Sequence, residues 1–159
     1  MITKIKIDMI KYNAHDSKRI SHALKVYSYA KIIGESENLS HEDMTALEIA
    51  SVLHDIGIKE CVKKYNSTNG FLQQVEGPPI AESILLSYDI EDVTLKRVLF
   101  LIAHHHTFKN VSGLDYQILL EADLIVNAQE EYITEYAFKN AVNKLFVTQT
   151  GKRIAEDAL

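Results

Sequence analysis

The stretch Ile49-Ala50-Ser51-Val52-Leu53-His54-Asp55-Ile56-Gly57 sets a histidine and an aspartate inside a nearly continuous apolar run. His54 falls on the same helical face as Leu47 and Ala50, at the intervals of an amphipathic helix. Burying an ionised carboxylate in such a place costs several kcal/mol or more unless it is paired or bound to a metal. Just upstream, Ser40-His41-Glu42-Asp43 has the form of a helix start. Ser40 can cap, and Asp43 stands three residues on, where a capping-box acid belongs. The helix so opened runs through Leu47, Ala50 and Leu53 to stop near Gly57.

Working outward, the same periodicity recurs. Ile20, Ala23, Leu24, Tyr27, Ala30 and Ile33 repeat at three and four within Ser17 to Glu35, ahead of Gly34 and the next cap. Asn66 to Gly70 reads as a loop, and Pro78-Pro79 as the opening of another helix, since proline loses nothing at the first helical position. Helices are expected over Asp92 to His106, Tyr116 to Glu131 and Ile133 to Leu145, with Ser112-Gly113 as a turn. Ile5-Lys6-Ile7-Asp8-Met9 alternates with period two and reads as an extended arm, yet no partner strands are evident. The expected fold is all-α, a compact multi-helix bundle. It forms one domain over residues 1–159, in which C-terminal helices pack on a core of about 18–130.

Composition agrees. The 159 residues are 47% hydrophobic and 25% charged, with six glycines, two prolines and one cysteine, the profile of an ordinary soluble globular protein. A chain of this length buries roughly 68–70% of its unfolded surface and needs no staples. Cys61 alone can form neither an internal disulfide nor a cysteine-based zinc site, which suits a reducing compartment. The longest apolar run, Val98 to Ala103, is six residues, against the roughly 20 that span a membrane. Lys4, Lys6, Asp8 and Lys11 interrupt any signal-peptide core. A cytoplasmic location with no membrane partner is expected. The net charge of −5, from 17 Lys and Arg against 22 Asp and Glu, lacks the basic footprint of a duplex nucleic-acid binder.

Polar residues break the apolar pattern twice more. Asp123 shares a face with Leu119 and Leu120 inside Ile118-Leu119-Leu120-Glu121-Ala122-Asp123-Leu124-Ile125-Val126, and Phe100-Leu101-Ile102-Ala103 runs straight into His104-His105-His106. Each has an ordinary explanation by itself. A histidine on an apolar face is commonly a hydrogen-bonded core residue, a buried aspartate can cap a neighbouring helix, and a histidine triplet can form the polar last turn of a helix. Their coincidence in one small domain suggests a common solution, since a bound metal would stabilise all of them at once.

His22, then His54-Asp55 in the context Leu-His-Asp-Ile-Gly, then Asp123 in Glu-Ala-Asp-Leu-Ile, resembles the H…HD…D signature of the HD-domain metal-dependent phosphohydrolases. The likeness covers about 18–130. A second His-Asp pair, His15-Asp16, lies in a polar stretch and reads as a solvated helix start. The resemblance implies a helical bundle whose ligands His22, His54, Asp55 and Asp123 converge on one divalent metal, of the set Mn, Fe, Ni, Co, Zn or Mg. Members with two metals add histidines after the HD pair, whose aspartate bridges the ions. His104, His105 and His106 fall where that family places a His or His-His, and His104 and His105 are the ligands expected among them. The family's next histidine aligns with Glu76 in Glu-Gly-Pro-Pro-Ile-Ala, a departure. As a ligand, Glu76 would make that position harder and favour Mn or Fe; as a helix-N-terminal acid it would be structural.

Binuclear members often read His-Asp-x-Gly-Lys, with the lysine near the substrate phosphate. Here the lysine comes one residue late, in His54-Asp55-Ile56-Gly57-Ile58-Lys59. Lys59 is accordingly the candidate phosphate contact, ahead of Lys63 and Lys64, which read as a solvated basic face. The activity implied is hydrolysis of a phosphate ester, of a nucleotide or other small phosphorylated metabolite, by metal-activated water. Asp55 would hold the metal bridge, and a triplet histidine, His105, would protonate the leaving oxygen. No phosphate loop, dinucleotide fingerprint or nucleophile elbow competes. Two other classes fit the resemblance: a di-iron HD-fold oxygenase, which Glu76 and the histidines would suit, and a non-catalytic nucleotide-binding sensor. After His106 the chain reads Thr107-Phe108-Lys109-Asn110 rather than Gly-Tyr-Pro, which disfavours cyclic di-GMP. Tyr65, Phe71, Tyr88 and Phe108 are candidates for a pocket lining or for the core. A homodimer is compatible with the chain.

Overall fold

The helix that begins at Ser40 forms as its cap dictates. The Ser40 side chain accepts from the Asp43 backbone N–H at 3.1 Å, and the helix runs His41–Leu53. Every residue from Ile49 to Leu53 is buried, so this is the central helix of the molecule. The computed structural model describes residues 1–131 and 133–158. Among the described residues there are nine helices and no strand: α1 Ile2–Tyr12, α2 Ser17–Ser36, α3 His41–Leu53, α4 Ile58–Tyr65, α5 Gly70–Leu85, α6 Asp92–His104, α7 Leu114–Glu130, α8 Glu135–Leu145 and α9 Gln149–Ala158. None is long and apolar enough to cross a membrane. The fold is all-α.

Helix α3 packs against α1, α2, α6 and α7, and α2 lies along α7. Helix α7 is buried without a break from Asp115 to Asp123, the pattern of a helix covered on every side. Asp16 caps α2, accepting from the Arg19 N–H at 3.0 Å, while His15 is exposed at φ 73°. The second His-Asp pair is therefore a helix start.

Three elements differ from expectation. Ile5 to Met9 is helical, because Ile5 and Met9, four apart, are the two residues α1 buries. The apparent alternation came from Ile7, which is exposed. Pro78 and Pro79 lie inside α5, not at its start. Proline normally expels its predecessor from the helical region by a clash with that residue's Cβ, and here the predecessor is Gly77, which has none. Gly77 also meets Gly57, where an added Cβ would lie 2.7 Å from the Gly77 nitrogen. Finally, α3 ends at Leu53, so that His54 to Gly57 form a turn into α4, a helix with only Cys61 buried.

Candidate metal centre

Four elements deliver polar side chains to one point. Helix α2 brings His22, the end of α3 brings His54 and Asp55, the end of α6 brings His105 and His106, and the middle of α7 brings Asp123. The Nε2 atoms of His22 and His54 lie 3.2 Å apart, and Asp123 Oδ1 stands 3.1 Å from the first and 3.5 Å from the second. Asp55 faces both ways. Its Oδ2 is 3.5 Å from His22 Nε2 and 3.6 Å from His54 Nε2, while its Oδ1 is 3.4 Å from His105 Nε2.

Hydrogen bonds on the far side of each ring fix its tautomer. His54 Nδ1 meets the Ser51 carbonyl at 2.9 Å, and His105 Nδ1 meets the Ile102 carbonyl at 2.7 Å. A carbonyl only accepts, so both Nδ1 atoms carry the proton. His22 Nδ1 likewise donates to the Glu130 carboxylate at 2.9 Å. Three imidazoles thus keep a proton on Nδ1 and turn Nε2 inward, beside two carboxylates. His105 Nε2 is buried without any hydrogen-bond partner. Such a donor set fits a divalent cation: nitrogen and carboxylate oxygen ligands, each histidine anchored through its other nitrogen. His22, His54 and Asp123 form one group able to hold an ion, and Asp55, His105 and His106 a second.

His106 holds its place through Gln73. The Gln73 amide donates to the Thr68 carbonyl at 2.8 Å, which turns its oxygen to His106 Nε2 at 3.1 Å. His106 therefore keeps its proton on Nε2 and its Nδ1 free. Burial, with the neighbouring His105 charge, lowers its pKa to about 4. Downstream, Arg97 of α6 pairs with Asp115 at 2.6 Å and donates to the Ser112 carbonyl, which pins the start of α7.

Three candidates lie elsewhere. His104 turns away from the cluster, with Nδ1 on the Phe100 carbonyl at 2.7 Å and its ring stacked on Phe100. One helical step is a turn of about 100°, and it is His105 and His106 that face inward. Glu76 accepts from Lys64 and Tyr65 at 2.8 Å each, tying α5 to α4. Lys59 donates to the Tyr12 carbonyl at 2.9 Å and stands over the Tyr12 ring, outside the cleft. The cleft above the cluster is about 400 Å³, and its cationic walls are Lys18 and Arg19 in the first turn of α2. Neither Tyr65, Phe71, Tyr88 nor Phe108 lines it. Lys18, Arg19, Gln73 and Glu130 escaped sequence reasoning. The available signal for the first two was their position one turn before His22.

Without a cation, protons hold the cluster together. Burial alone would lower the His54 pKa, but the Asp55 charge and the Asp123 hydrogen bond more than offset it and raise it to about 9. His22 is also raised: burial opposes this, and Asp123 prevails. Asp55 falls to about 2, because the His54 and His105 charges outweigh burial, and Asp123 is lowered by His22 and His54 in the same way. A raised histidine stabilises the fold fully below its ordinary value of 6.5 and loses that contribution as pH rises through about 9. The metal-free protein should therefore melt at progressively lower temperature from pH 6.5 to 9. Over the same window the rise in melting temperature on adding metal should widen, since the ion no longer competes with the His54 proton. Thermal melts with chelator and with Mn²⁺ across that range check this, and a gap that stays flat would contradict it.

Comparison with known proteins gives the same answer as the geometry. The HD domain profile matches residues 19–137, a segment that carries His22, His54, Asp55 and Asp123. A crystal structure described as a predicted HD superfamily hydrolase, from an uncultured Thermotogales bacterium, superposes with a TM-score of 0.68 at 22% identity. It covers 99% of this chain and 82% of its own, a likeness of fold. No curated protein matches the chain. With the profile spanning most of its length and the motif residues gathered at one point, the chain belongs to the HD-domain family.

Proposed function

We propose that the protein is a metal-dependent phosphohydrolase acting on a small phosphate ester, a nucleotide or another phosphorylated metabolite. The observation that carries this is the convergence of three imidazole Nε2 atoms and two carboxylates at the floor of an open cleft, each ring anchored through its Nδ1. His22, His54, Asp55 and Asp123 would hold one divalent ion. Asp55, through its other oxygen, would join His105 and His106 in holding a second. Bound there, divalent ions place positive charge against a phosphoryl oxygen and bring the pKa of water near neutral.

The remaining work falls to side chains of the chain itself. Asp55 fixes the relation between the two groups because its two oxygens serve both. His105 serves as ligand, not proton donor, since its proton is committed to the Ile102 carbonyl. Gln73 orients His106, and the low pKa of His106 keeps its ring neutral for the same task. Lys18 and Arg19 are the cations of a rim otherwise lined by acids, Arg19 paired with Asp16 at 3.3 Å, and they would orient the phosphate of a substrate held over the metal. The phosphate contact first sought in Lys59 passes to them.

Phosphate release from a panel of monoesters, diesters and nucleotides, with and without chelator, tests the reading. Activity that vanishes on chelation and returns with Mn²⁺ or Fe²⁺ supports it, and turnover indifferent to chelation sinks it. On the best substrate of that panel, Arg19→Ala should raise KM about tenfold, the size of one charge-assisted hydrogen bond. Its kcat should change less, because Arg19 would bind ground and transition states alike. An unaltered KM in both Arg19→Ala and Lys18→Ala would remove these residues from the account.

A further inference from the structure

The three inward-facing imidazoles are not held alike. His54 and His105 lean on neutral backbone carbonyls, whereas His22 leans on a charged side chain. Glu130 is the last residue of α7, two turns beyond Asp123 on the same face. Its Oε2 accepts from His22 Nδ1 at 2.9 Å, and its Oε1 accepts from Lys25 Nζ at 3.0 Å. Lys25 lies one turn after His22 on α2, so a single carboxylate bridges two successive turns of that helix. Helix α7 thus contributes a candidate ligand, Asp123, and the outer partner of a candidate ligand on α2.

From this geometry we propose that Glu130 is a positioning residue for the metal centre. It locks His22 in the Nδ1–H tautomer, aims Nε2 at the cleft floor and, by its negative charge, strengthens that nitrogen as a donor. Lys25 holds the carboxylate in register. The proposal rests on the metal-dependent reading above. Outer partners of metal-ligating histidines act in this way, and their loss costs about 10–100-fold in metal affinity. An ionised glutamate offers the imidazole more than the carbonyls that hold His54 and His105, so the loss should be large for this position.

Mn²⁺ binding to the full chain tests it, with free Mn²⁺ read from its paramagnetic resonance signal for wild type, Glu130→Ala and Glu130→Gln. Metal-free melting temperatures are recorded beside it. Glu130→Ala should bind about 10–100-fold more weakly, and Glu130→Gln should fall between it and wild type, because the amide oxygen still accepts from Nδ1–H without the charge. Equal affinity in wild type and Glu130→Ala overturns the proposal. So does a Glu130→Gln variant no better than Glu130→Ala, which would make the residue's role that of a structural brace. If Glu130→Ala fails to fold, the glutamine variant alone decides: affinity equal to wild type overturns the proposal. Failure of the wild type itself to bind Mn²⁺ would overturn the metal-dependent reading along with it.

Discussion

Replacing Asp55 by alanine is expected to abolish phosphate release and to strip the protein of metal at both groups. Asp55 is the one side chain with an oxygen toward each: Oδ2 toward His22 and His54, Oδ1 toward His105. Its removal takes a carboxylate from each candidate site and leaves His105 Nε2, already without a hydrogen-bond partner, facing empty space. The loss in metal affinity should exceed the roughly 10–100-fold typical of an outer-shell substitution, because a direct ligand is lost. The metal-free protein should still fold, since Asp55 sits in a turn and not in the apolar core, but it should melt at a lower temperature at neutral pH, because the charge that holds the protonated His54 is gone. Equilibrium metal binding and turnover, measured beside circular dichroism, check the three statements together. Retention of metal at wild-type levels would mean that the two groups are not joined through Asp55.

The largest expected effect on stability lies away from the cleft, at Glu121. This side chain is completely buried in α7, and four donors converge on it. Its Oε1 accepts from the Val147 N–H at 2.7 Å, the Thr148 N–H at 3.0 Å and the Gln117 amide at 2.8 Å, and its Oε2 accepts from the Thr148 hydroxyl. Gly151 comes so close that an added Cβ would overlap the carboxylate. Glu121 therefore ties the start of α9 to the middle of α7, with its charge at the favourable end of the helix dipole. Glu121→Leu would leave those donors buried and unpaired, at about 1–3 kcal/mol each before relaxation. A net loss of about 3–5 kcal/mol is expected, a large part of the roughly 5–15 kcal/mol that holds a domain folded. Denaturant unfolding measures it. A change within about 0.5 kcal/mol, the range of ordinary surface substitutions, would contradict the assignment.

Glu121 also shows what the sequence could and could not disclose. It lies two residues from Asp123 in the same apolar run, and both are buried acids, yet one is satisfied by four local donors and the other faces two imidazoles. An acid in an apolar helix signals a buried charge; it does not say what neutralises that charge. His22, His54, Asp55 and Asp123 were legible because their order along the chain repeats a family pattern. The triplet was not, because α6 ends at His104 and helical phase no longer says which of His104, His105 and His106 turn inward. Glu76 and Lys59 were drawn elsewhere by Lys64, Tyr65 and Tyr12, partners that periodicity cannot pair. Glu130 and Lys25 look like solvated charges in sequence, since their pairing joins positions 105 residues apart. The helices themselves followed their caps and periods, except where α1 hid a four-residue spacing behind an alternation and Pro78-Pro79 fell inside α5 instead of opening it.

The most direct measurement is the metal content of untagged wild-type protein, purified, stripped with chelator and reloaded, by elemental mass spectrometry. Close to two divalent ions per chain are expected after reloading, one for each donor group, with Asp55 facing both. A protein that retains no ion when offered Mn²⁺, Fe²⁺ and Zn²⁺ in excess would contradict the account at its centre.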